Sequence, residues 1–158
     1  MKKILLGIMI LALVSTAAFA AETATQTVTA TVNQVLTLDR IGGASSYTLV
    51  LGIGSGTETD PFTLYTQGNV PFNVTASATA WTGENVANVP ALHLVQGGSN
   101  YILLINGANT PSSPSPIIMT DSDGGTLSTD FRIRANVESF NVKPGTYATT
   151  ITYTIAAQ

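Results

Sequence analysis

The chain has 158 residues with no cysteine and one histidine, charged side chains make up 9% of it, and its net charge at pH 7 is −3. No disulfide can staple such a fold, no site that needs two histidines can be built in it, and no basic surface is present to neutralise a phosphate backbone, which excludes nucleic acid as a partner. With charge so far below the ~25% of ordinary globular proteins, the surface must be Thr, Ser, Asn and Gly, which puts little electrostatic repulsion between copies and suits packing against itself or a matrix.

Lys2 and Lys3, the apolar run from Ile4 to Val14 and the small residues Ala18-Phe19-Ala20 follow the order of a secretory signal peptide, predicting cleavage before Ala21 and a location outside the cytoplasm: secreted, on the cell surface or periplasmic. The run falls short of the ~20 residues that span a bilayer, and no later apolar run of that length follows, so no membrane span is expected in the mature chain. Residues 21–158 then read as one domain, in which four cations oppose nine carboxylates for a net charge of −5.

From Ala24 the even positions Val28, Ala30, Val32, Leu36 and Leu38 are apolar, while Thr25, Thr27, Thr29, Thr31, Asn33 and Thr37 fill most odd ones. This single register predicts a long N-terminal strand over 21–38, either two consecutive strands jointed at Gln34 or one strand projecting beyond its own sheet. Neither Lys nor Pro blunts the edge between Thr23 and Asn33. Further strands are predicted from Tyr47 to Ile53, Phe62 to Thr66, Val70 to Ala80, Val89 to Gln96, Tyr101 to Ile105 and Ile117 to Thr120, punctuated by Gly-rich and Asn-Gly turns. The prolines between Gly107 and Pro116 make that stretch a surface loop.

Phe131, Ile133, Ala135 and Val137 alternate with polar residues from Asp130 to Glu138, giving a strand with one face in the core. Lys143-Pro144-Gly145 has the order of a type II turn. After it Tyr147, Thr149, Ile151, Tyr153 and Ile155 face one way and Thr146, Ala148, Thr150, Thr152 and Thr154 the other, so the strand Thr146 to Ala156 is expected beside Asp130 to Glu138. The whole is all-β, a β-sandwich of about 7–9 strands or a small barrel.

No residue set forms a catalytic constellation, so the chain reads as a non-enzyme without a cofactor. His93 sits in a strand pattern as a structural or edge histidine. Asp121-Ser122-Asp123-Gly124-Gly125 has the opening of a calcium loop but not its distant glutamate; Asp121 and Asp123 are weak metal candidates in what reads better as an Asx-rich turn. Glu58 and Asp60 are paired carboxylates in a loop, best read as solvated. The sequon Asn73-Val74-Thr75 falls inside a strand. Trp81, the single tryptophan, reads as a core or rim anchor or as a stacking platform for a sugar ring.

Three stretches resemble secreted bacterial β-sandwich subunits, the spore coat protein U-like and chaperone–usher fimbrial families. They are the Thr-rich amphipathic strand after the signal peptide, Gly68-Asn69-Val70-Pro71-Phe72-Asn73-Val74-Thr75, and the ending Lys143-Pro144-Gly145-Thr146-Tyr147-Ala148-Thr149-Thr150-Ile151-Thr152-Tyr153-Thr154-Ile155. The cysteine pair that many such subunits carry is missing. The resemblance implies an immunoglobulin-like sandwich that polymerises by strand exchange, with Val28, Ala30, Val32, Leu36 and Leu38 on the donor strand and an export chaperone as a further partner.

The leading expectation is an extracellular or cell-surface structural or adhesive subunit that forms a homo-oligomer or filament. The alternatives are a secreted carbohydrate- or ligand-binding module, with Trp81, Tyr65 and Tyr101 as stacking residues, and a small outer-membrane β-barrel. The ending in Gln158 and the prolines after Thr110 weigh against the barrel.

Overall fold

A computed structural model describes residues 26–83 and 85–158, so the signal-peptide reading and residues 21–25 of the N-terminal strand lie outside the described residues. The chain divides after Val32, and residues 26–32 of the first unit form no strand.

The second unit, Asn33–Gln158, is all-β, with no helix among the described residues. Its strands are β1 (Leu36–Ile41), β2 (Gly56–Glu58), β3 (Phe62–Gly68), β4 (Phe72–Ala78), β5 (Ala91–Gln96), β6 (Asn100–Ile105), β7 (Ile117–Asp121), β8 (Gly125–Asn136) and β9 (Ile151–Ala157). They form a six-stranded sheet in the order β1-β3-β8-β5-β6, with β2 also on β8, and a three-stranded sheet in the order β7-β4-β9. All the strand pairs are antiparallel.

Period-2 alternation decides which face each strand buries. Phe62, Leu64 and Thr66 of β3 point inward with Phe131 and Ala135 of β8 and Leu92 and Leu94 of β5, and from the other sheet Phe72, Val74 and Ala76 of β4 meet them. Burying a phenylalanine such as Phe72 or Phe131 contributes about 1.5–3 kcal/mol, and both are completely covered. Thr66, the one polar residue fully enclosed among the described residues, donates its hydroxyl to the Leu127 carbonyl at 3.4 Å.

Three sequence expectations are corrected. First, β9 does not lie beside β8; it pairs with β4, matching Val74 with Ile155 and Ala76 with Tyr153. Both edges of β8 are already taken, by β3 and β2 on one side and β5 on the other, so the chain after Val137 crosses to the second sheet.

Second, Tyr47 to Ile53 alternates in exposure as expected yet joins no ladder, apart from an isolated bridge between Ile53 and Val137. Leu49 and Leu51 still pack on the core.

Third, the strand expected over 21–38 exists, among described residues, only from Leu36. Its partner β3 ends at Gly68, opposite Leu36, and the turn that follows takes over the main-chain groups. The Asn69 side chain accepts from the Val35 N–H and donates to the Asn33 carbonyl, both at 2.8 Å.

Candidate functional site

The five residues expected on a donor strand are separated. Leu36 and Leu38 belong to β1 and pack against the core of their own sheet. Val28 and Val32 lie in the preceding stretch, outside any strand, and are 82% and 83% exposed; Ala30 between them is exposed too. Exposed valines on a Thr-rich extended pattern have nothing to gain from water and much from a sheet edge.

Two such edges meet at one seam of the sandwich. β1 is the last strand of the large sheet and β9 the last of the small one. The two approach within 8 Å between α-carbons but share no ladder. On β9 the ladder to β4 runs through even-numbered residues: Thr79 donates to the Thr150 carbonyl at 3.0 Å and the Gln158 N–H donates to the Pro71 carbonyl at 3.1 Å. Antiparallel alternation therefore turns the main-chain N–H and C=O groups of Ile151, Tyr153 and Ile155 toward the open edge. Their side chains line the core only half-buried. The Tyr153 ring lies 5.9 Å from that of Phe62, and burial raises its hydroxyl well above the ordinary tyrosine range.

Trp81 sits as a rim anchor. Its Nε1 donates to the Pro90 carbonyl at 2.8 Å, its main-chain N–H donates to Asn109 Oδ1 at 2.7 Å, and Tyr147 meets the indole edge-on at 6.4 Å. Tyr65 and Tyr101 do not join it: Trp81 follows β4 of the small sheet, whereas Tyr65 stands on β3 opposite Ser128 and Tyr101 on β6 opposite Val95.

Asp121 closes a turn, its Oδ1 accepting from the N–H groups of Asp123 and Gly124 at 2.9 Å, and no three His, Asp or Glu side chains gather as metal ligands among the described residues. The sequon Asn73 is engaged too, accepting from the Thr120 hydroxyl at 2.6 Å.

One grouping was not visible in the sequence. Pairing of β5 with β8 sets His93 beside Arg134, and pairing of β2 with β8 sets Glu58 on its other side, all on the outer face of the large sheet. Arg134 Nη1 donates to Glu58 Oε1 at 3.1 Å, and its guanidinium carbon lies 5.1 Å from the centre of the Tyr101 ring. Arg132 reaches the other Glu58 oxygen at 3.9 Å. His93 meets Tyr101 edge-on at 6.4 Å, and Asn136 Nδ2 donates to Glu138 Oε1 at 2.9 Å.

His93, Tyr101, Arg134, Asn136 and Glu138 line an open cleft of about 290 Å³. Partial burial lowers the His93 pKa; Glu138 opposes that shift and Arg134 adds to it, which leaves the ring neutral at pH 7. Register between strands distant in sequence was the missing signal. No known protein family matches the chain, and no curated protein matches it either.

Proposed function

We propose that the chain is an exported structural or adhesive subunit of the cell surface, an immunoglobulin-like sandwich that assembles with copies of itself by strand exchange. In this reading Val28, Ala30 and Val32 of one copy add to the open edge of β9 in the next. The observation that carries it is the pairing of two unmet needs in one chain: apolar side chains exposed outside any strand, and a sheet edge at Ile151, Tyr153 and Ile155 whose main-chain groups join no ladder among the described residues.

Main-chain hydrogen bonds would supply the affinity and alternate side chains the fit. Such a contact joins two different surfaces, so repetition gives a filament rather than a closed pair. Strands on either side of an inserted one stand ~9.6 Å apart, twice the ~4.8 Å spacing of a sheet. Because β1 and β9 approach within 8 Å, seating a donor requires β1 to move outward. The apolar filling between two open sheets favours this sandwich over a lipid-facing barrel, whose lumen is polar.

The test is deletion of Glu22 to Val32. The truncated protein should stay folded by circular dichroism, sediment as a monomer, and show no filaments in negative-stain electron microscopy where the longer protein does. A peptide of the same stretch should stop growth. If the untruncated mature protein sediments as a monomer at every concentration, strand exchange is wrong.

A further inference from the structure

We propose that the outer face of the large sheet carries a binding site for a neutral saccharide, seated against Tyr101 among His93, Arg134, Asn136 and Glu138. This is independent of strand exchange, which uses the seam between β1 and β9.

The site is built rather than incidental. In a chain with only 9% charged residues, Glu58, Arg132, Arg134 and Glu138 collect here with the single histidine. Arg134 is held from three sides, by Glu58, by the Tyr101 ring and by the bare backbone of Gly56, where a β-carbon would stand 2.5 Å from the guanidinium. A fixed guanidinium presents its remaining N–H groups in one geometry.

Two polar atoms beside it are unmatched. His93 Nδ1 and Asn136 Oδ1 are shielded from solvent and make no hydrogen bond among the described residues. Buried polar atoms are ordinarily paired, so two unpaired ones here leave the His93 ring and the Asn136 amide with no internal bond to keep them from turning toward a ligand in the cleft.

The chemistry selects the ligand class. The two arginines balance Glu58 and Glu138, so the cluster has no net charge with which to hold an ion. It offers guanidinium N–H donors close to an imidazole, an amide and a carboxylate acceptor, an arrangement that vicinal hydroxyls can satisfy, since each hydroxyl both donates and accepts. Tyr101 is 49% exposed and offers ring surface to the C–H face of a pyranose. The cleft of about 290 Å³ is at the lower end of the ~300–1,000 Å³ typical of small-ligand sites, which suits one or two sugar rings and not a large cofactor. A second cleft of about 310 Å³, lined by Pro61, Val95, Gly97 and Arg132 among others, opens over the same stretch of β8 and gives room for a longer glycan.

The experiment is a titration of the ¹⁵N-labelled protein, followed by NMR, with methyl β-D-glucopyranoside, methyl β-D-galactopyranoside, methyl α-D-mannopyranoside and N-acetylglucosamine, and with N-acetylneuraminic acid as the anionic probe. At least one neutral probe should give saturable shifts at His93, Tyr101 and Asn136 with a millimolar dissociation constant. Tyr101→Ala and Glu138→Gln should each weaken it ~10-fold or more, with both variants folded by circular dichroism. Maltotetraose and cellotetraose report the source: tighter binding with shifts spreading to Gly97 and Arg132 marks a polysaccharide, and affinity equal to the monosaccharide marks a single terminal sugar. The proposal is overturned by the absence of saturable shifts with every neutral probe, by binding of the anionic probe alone, or by affinity unchanged in both variants.

Discussion

Gly56 lies so close beneath Arg134 that a β-carbon on it would stand 2.5 Å from the central carbon of the guanidinium. Gly56→Ala must therefore push the guanidinium away from Glu58 and off the Tyr101 ring. The displaced group is the far end of a flexible side chain, so the fold should lose no more than about 1 kcal/mol, the scale of a partly exposed ion pair. Urea denaturation measures that loss, and the Tyr101 ring signals in NMR should shift. Unmoved ring signals would mean that Arg134 is not held over Tyr101.

The core and the N-terminal stretch should respond in opposite ways. Phe72 and Phe131 are fully buried, and Phe131 stacks on Phe62 with ring centres 6.1 Å apart. Phe72→Ala or Phe131→Ala should each cost about 3–5 kcal/mol in urea unfolding. Val32→Asp, at a position 83% exposed, should change stability by less than ~0.5 kcal/mol while reducing assembly measured by sedimentation.

Ile151→Pro probes the open edge of β9 directly. The Ile151 N–H points away from β4 by the alternation of the ladder, and proline is tolerated at the first residue of an edge strand. The variant should fold with a loss of about 1–2 kcal/mol, from repacking a half-buried side chain, yet assemble more slowly by light scattering. Assembly at the wild-type rate would mean that the donor docks elsewhere.

His93 sets a pH dependence whose sign follows from its lowered pKa. The unfolded chain, with histidine near 6.5, takes up a proton before the folded protein does. Stability from this group is therefore complete above pH 6.5 and falls as the pH drops through the folded value. Arg134 and Glu138 face the ring with opposite effects, and Tyr101 is its uncharged neighbour. Melting temperatures between pH 7.5 and 5 should fall more steeply for the wild type than for His93→Gln.

Side-chain alternation made most of the strands legible, because it reports which way each residue faces. Phe62 to Thr66, the Val74 and Phe72 row, and Ile151, Tyr153 and Ile155 all turn inward as their pattern predicts. Alternation says nothing about which main chain lies alongside, and two of the misses are of that kind. Tyr47 to Leu51 has the pattern and no partner; β9 has its facing and a different partner. β2 is three residues, Gly56-Thr57-Glu58, too short for any period to show. The cluster around Arg134 needed the registers of β2 and β5 on β8, which no local motif encodes.

Because β9 pairs with β4, with the side chain of Gln158 reaching the Phe72 carbonyl 86 residues earlier, the small sheet cannot be completed until β9 is available. Closing so long a loop is entropically slow, and a topology dominated by distant pairings folds on the millisecond-to-second scale rather than in microseconds. During synthesis β4 waits with one flank bare, and any other extended segment at high local concentration competes with β9 for it. The order in which the strands become available thus makes the nascent chain vulnerable to mispairing until β9 arrives.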